Sequence, residues 1–83
     1  MDKANEIKRL EHEIEVLDRE FKKLNNMYVE IAKEIDETDS LDFEVLDFLY
    51  VQLDNIGEGI YNLRNNIGKR VLKLHHLREA SNQ

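Results

Sequence analysis

Between Ile7 and Ile35 the apolar residues fall at Ile7, Leu10, Ile14, Leu17, Phe21, Leu24, Tyr28, Ile31 and Ile35. The spacing alternates strictly between three and four. That is the a and d pattern of a heptad repeat, held over about four heptads. A helix built this way carries one narrow apolar seam along its length. Water cannot cover that seam without free-energy cost, so another helix must. The chain has no proline to break such a helix, and proline is the residue that most disrupts a helix interior.

The first helix is expected over about 3–36. Asp2 and Glu6 at its start suit the positive end of the helix dipole. The seam is flanked by acids: Glu6, Glu13, Glu20 and Glu34, with Met27, at g, and Glu11 and Asp18 among the e positions. Pairing this helix with a copy of itself through the seam, parallel or antiparallel, would set like charges together. A different helix is the better partner, and the chain supplies one. A turn is expected at Glu37-Thr38-Asp39-Ser40, where Thr, Asp and Ser can cap a following helix. The second helix is expected over about 41–79, with its own seam at Leu46, Leu49, Leu53, Ile56, Ile60, Leu63, Ile67, Leu74 and Leu77, broken by Arg70. Gly57 and Gly59 lie within it. Each costs up to about 1 kcal/mol in a helix interior, but the heptad phase passes through them unshifted, which favours one continuous helix.

So short a turn makes the helices antiparallel neighbours. Folding the chain at Thr38 pairs Leu10 with Ile67, Leu17 with Ile60, Leu24 with Leu53 and Ile31 with Leu46. Every inner layer is then apolar. Mismatches fall at the ends, where Ile35 meets Asp42 and Ile7 meets Arg70. The same register brings Glu6 near Lys73, and Glu11 or Asp18 near Arg64. The expected fold is all-α: one domain, an antiparallel helical hairpin of coiled-coil type, with arms about 50–60 Å long at 1.5 Å per residue. A chain of 83 residues without cysteine has little core and no disulfides, so self-association into a helical bundle, as a homodimer or higher oligomer, is also expected.

The hairpin leaves apolar residues over. Leu46 to Val51 is apolar almost all round, and Phe43, Phe48, Tyr50, Val51 and Tyr61 lie off the seam. These five are the candidate partner-binding residues. A second face of the same helix runs through Tyr50, Gly57, Tyr61, Arg64, Gly68, Val71 and His75. Residues 41–63 carry five acids and no base, whereas residues 64–83 carry five bases and one acid. The expected function is a non-enzymatic protein–protein interaction module: an adaptor, assembly factor or inhibitor that presents an apolar face with an acidic rim. The alternative is an oligomer that sequesters a small ligand between hairpins, with Tyr61, Arg64 and His75 lining the pocket.

Little in the chain points to catalysis. His75 and His76 are adjacent and so diverge by about 100° on a helix, and His12 stands apart. No metal site or cofactor is expected. The net charge of −6 argues against nucleic acid as a partner. No apolar run approaches the roughly 20 residues of a membrane span, and the polar start of the chain is unlike a secretory signal, so a cytoplasmic protein is expected. Two family likenesses remain. Glu34, Glu37, Glu44 and Asp47 form E-x-x-E followed by E-x-x-D. This resembles the metal-binding signature of the all-α nucleotide pyrophosphatases of the MazG type, with a shorter gap between the motifs. The resemblance implies those four carboxylates as magnesium ligands facing a nucleotide triphosphate. The run Gln52 to Ile60, with Leu63 and Ile67, is similar to the heptad core of a SNARE helix, with Leu49 where that family has its central glutamine. The hairpin itself is tested by Leu53→Asp, which puts a charge into the seam. The expected outcome is a loss of helicity in circular dichroism, since an uncompensated charge of this kind costs several kcal/mol, about as much as a small domain has.

Overall fold

The computed structural model describes residues 2–81 and shows two antiparallel helices, α1 (Lys3–Glu37) and α2 (Phe43–Ser81), forming a rod 63 × 17 × 14 Å. The Asp2 side chain caps α1, accepting a hydrogen bond from the Ala4 amide at 3.1 Å. α2 is unbroken at Gly57 and Gly59, since the seam it buries outweighs their low propensity.

The turn lies later than the sequence suggests. It comprises residues 38–42 rather than 37–40, and α2 begins at Phe43 rather than Leu41. The reason is local hydrogen bonding. Thr38 stays attached to α1: its amide donates to the Ile35 carbonyl at 3.3 Å, and its hydroxyl donates to the Glu34 carbonyl at 2.6 Å. The Asp39 carboxylate then accepts from the Leu41 amide at 3.0 Å, and the Asp39 carbonyl accepts from the Asp42 amide at 3.0 Å. An Asx turn of this kind competes with helix. The first i→i+4 bond of α2 runs from the Leu46 amide to the Asp42 carbonyl.

Both seams lie on the inner faces as expected. Every a and d residue of α2 from Leu46 to Leu77 is buried or half-buried, Arg70 included. So are those of α1 except Tyr28, whose ring reaches the rim. The pairing between seams, however, is displaced by one heptad from the register expected above. Leu24 does not sit level with Leu53; its Cδ1 is 3.2 Å from where a Cβ on Gly59 would be. Tyr28 Cε2 lies 3.7 Å from the same point on Gly57. Arg70 Nε reaches a Glu13 carboxylate oxygen at 3.2 Å rather than standing beside Ile7. Glu11 pairs with Arg78 at 3.5 Å and Asp18 with Lys22 at 3.1 Å, so neither meets Arg64 in an ion pair. Lys73 does reach Glu6, at 3.4 Å. Together these contacts place Leu10 opposite Leu74, Leu17 opposite Ile67, Leu24 opposite Ile60, Ile31 opposite Leu53 and Ile35 opposite Leu49.

The displacement has a clear physical basis. A seven-residue slip keeps every a and d residue on the seam, so periodicity cannot distinguish the two registers. Layer composition can. In the observed register Ile7 meets Leu77 and Ile35 meets Leu49, so both end mismatches disappear. The one exception, Arg70, moves inside opposite Ile14, where Glu13 and the Asn66 carbonyl (3.1 Å) take its guanidinium. The longer turn permits the slip. It also leaves the first turn of α2 projecting beyond the end of α1, with Leu41 and Phe43 exposed. The register is checked by paired cysteines in this cysteine-free chain. Leu10→Cys with Leu74→Cys should form a disulfide on mild oxidation. Leu10→Cys with Ile67→Cys should not, because roughly 10 Å of helix separates the two registers.

Candidate functional site: two exposed flanks of the hairpin

A two-helix rod has little interior. Among the described residues only Leu10, Leu49 and Leu74 are buried, while thirteen large apolar side chains are exposed. Where these lie follows from the seam. On a continuous helix each residue turns by about 100°, so the residues beside the seam divide into two flanks.

The first flank carries the e and b positions. On α2 it holds Phe43, Tyr50, Tyr61 and Val71, together with Asp47, Asp54, Gly57, Arg64, Gly68 and His75; on α1 it holds Val29 and Ala32. An open groove of about 320 Å³ lies on it, lined by Asp18, Phe21, Arg64, Ile67, Gly68 and Val71. Gly68 has open space where a Cβ would stand. The ion pair of Glu11 with Arg78 closes this flank at the far end.

The second flank carries the g and c positions and continues onto the back of α2. It holds Val45, Phe48 and Val51 from α2 as a cluster near the loop, and Met27 from α1 farther along, near Gly57, all exposed. Glu34 and Glu37 at the end of α1 and Glu44 at the start of α2 border this cluster, with Glu30 and Glu58 about two turns farther along. From residue 30 to residue 58 the chain has ten acids and a single base, Lys33, which stands on the outer face of α1. A smaller groove of about 230 Å³, lined by His12, Glu13, Val16, Leu17 and Arg70, lies on the same flank toward the open end.

The five partner-binding candidates are therefore all exposed but do not form one surface. Phe43, Tyr50 and Tyr61 share the first flank, Phe48 stands on the second, and Val51 lies on the back of α2. Met27 and Val45 extend the second flank and were not among the candidates. Both are g positions, and that is the sequence feature that could have placed them on this flank; in the observed register Met27 stands near Gly57, roughly 18 Å along the rod from Val45. Of the ligand candidates, Arg64 lines the groove, but Tyr61 and His75 do not. The three are strung along roughly 21 Å of helix, too far for one small ligand on one hairpin. His75 Nε2 instead lies 3.0 Å from a Glu79 carboxylate oxygen. Among the described residues no three of His, Asp and Glu come together in a way that could hold a metal ion, so Glu34, Glu37, Glu44 and Asp47 do not converge. No described helix is long and apolar enough to cross a membrane.

No protein-family model, curated protein or solved structure matches this chain.

The glycines report how tightly the flanks are drawn in. Gly68→Ala, in open space, should raise the free energy of unfolding by about 0.5–1 kcal/mol through helix propensity alone. Gly59→Ala should give clearly less, because Leu24 must shift to admit the methyl group. Urea unfolding at low protein concentration measures both.

Proposed function

We propose that this protein is a non-catalytic interaction module of coiled-coil type, which docks a basic, amphipathic helical segment of another protein on the second flank of its loop half. The observation that carries this reading is the coincidence of two features. Val45, Phe48 and Val51, three residues apart in turn along α2, form an exposed apolar cluster, and the chain around it, residues 30–58, holds ten acids against Lys33 alone. An apolar centre with a charged rim is the ordinary plan of a helix-docking surface. Burying the cluster supplies affinity, because apolar area leaves water. The carboxylates supply steering and selection: they speed encounter with basic segments and repel acidic ones. Helicity of the partner follows from the shape of the site. The cluster lies beside an exposed helix, with no free strand edge to extend, so a second helix is the element that fits along it. Adaptor, assembly factor and inhibitor are all roles a module of this kind can fill.

The reading is tested with two designed amphipathic peptides that share one leucine face and carry either lysine or glutamate on the other. Fluorescence anisotropy should show binding of the lysine peptide only, weakening as salt is raised over a Debye-length range of about 30 to 8 Å. Phe48→Asp should weaken that binding by about tenfold or more, the loss of roughly 1.4 kcal/mol or more from an anchor residue. Equal binding of both peptides, or binding indifferent to Phe48→Asp, counts against it.

A further inference from the structure

The first flank has a pattern of its own. Along α2 it reads Tyr50, Asp54, Gly57, Tyr61, Arg64, Gly68, at intervals of four, three, four, three and four residues. That spacing is the same in either direction. Laid antiparallel on itself about a point midway between Gly57 and Tyr61, the stripe sets Tyr50 opposite Gly68, Gly57 opposite Tyr61 and Asp54 opposite Arg64. Each large ring meets a residue without a side chain, and each charge meets its opposite. We propose that α2 pairs in this antiparallel way with α2 of a second copy of the chain, about a two-fold axis at that point, giving a four-helix assembly.

Several observations converge on a second copy as the occupant. A two-fold axis repeats every contact, so one self-complementary stripe yields two Tyr50–Gly68 contacts, two Tyr61–Gly57 contacts and two Asp54–Arg64 ion pairs. Within the hairpin neither Asp54 nor Arg64 makes an ion pair among the described residues, whereas Asp18, Glu11, Glu13 and Glu6 all do. The space above Gly68 is open, and the groove of about 320 Å³ beside it gives the ring of the second copy's Tyr50 somewhere to enter. Tyr50 and Tyr61 are exposed in the single hairpin, at 51% and 65%. The direction is set by charge. A parallel arrangement would stack Asp54 on Asp54 and bring two acid-rich loop halves together; the antiparallel one sets each loop half beside the more basic open end of the other copy. The area suffices: one flank of a rod 63 Å by 17 Å presents roughly 1,000 Å², against roughly 800 Å² per partner in a stable interface. This pairing uses the flank away from Phe48, so it can fail without the docking reading failing, and the reverse.

Charge exchange tests it. Light scattering from micromolar to millimolar protein should give about twice the 9.9 kDa of one chain. Asp54→Arg alone and Arg64→Asp alone each place two like-charged pairs across the two-fold, and each should raise the dimer dissociation constant by about tenfold or more. An equimolar mixture of the two variants restores opposite charges at both places and should return to dimer mass. Circular dichroism run alongside follows folding; a variant that loses helicity alone should regain it on mixing. A wild-type chain that stays monomeric throughout, a dimer indifferent to both substitutions, or weakened variants that the mixture does not rescue would each overturn the proposal.

Discussion

The structure depends on one constraint: a helix with a narrow apolar seam can shield it only by lying against another helix, and a single partner shields it from one side. In this hairpin the seam residues are drawn inward along nearly the whole length, yet only Leu10, Leu49 and Leu74 are buried among the described residues. The remainder are half-covered. Each layer is two side chains deep, so its edges meet water on both flanks. Among the described residues no third element covers those edges. Whatever this protein does, its flanks are where unspent hydrophobic free energy remains, and they are where both proposals lie.

The two flanks differ in kind. One alternates tyrosines with glycines and carries an acid and a base that make no ion pair among the described residues, which is the ground for the proposed self-pairing. The other sets glutamates beside an apolar cluster, which is the ground for the proposed basic partner. A self-complementary face closes with a second copy and is then used up, while a single-sign face repels its own copies and stays available. On the proposed two-fold, the assembly would keep both acidic flanks outward. The proposed division of labour would need no conformational change, because α2 is one continuous helix and the flanks diverge from it at fixed angles.

Arg70 shows how a polar residue can act within an apolar seam. The series of seam positions runs through it, and periodicity alone marks it as a defect. In the observed register it lies opposite Ile14, and its guanidinium is held by Glu13 and the Asn66 carbonyl. Both charged side chains remain more than a third exposed, so the ion pair adds little stability. Nor does it select the register, because a slip of one heptad would only exchange Glu13 for Glu6 or Glu20.

The amino-acid sequence by itself determined the fold class, the two helices, their antiparallel arrangement and the residues of both seams. These follow from the three–four alternation, from the absence of proline, and from acidic flanks that disfavour pairing of α1 with itself; all are local or periodic properties of the chain. It also marked Phe43, Phe48, Tyr50, Val51 and Tyr61 as surplus to the seam. Only the tertiary structure decided the register, and with it the rest. A pattern that repeats every seven residues is unchanged by a shift of seven, so the choice fell to end layers and to a turn whose length depends on Asx hydrogen bonding at Asp39. The register then placed Val45 beside the end of α1, and Met27 farther along, near Gly57. The geometry of α2 divided the five surplus residues between two flanks and its back, and left Tyr61, Arg64 and His75 apart along one helix. Which residue of α1 lies level with which residue of α2, by contrast, is a fact about the folded hairpin, not about either helix alone.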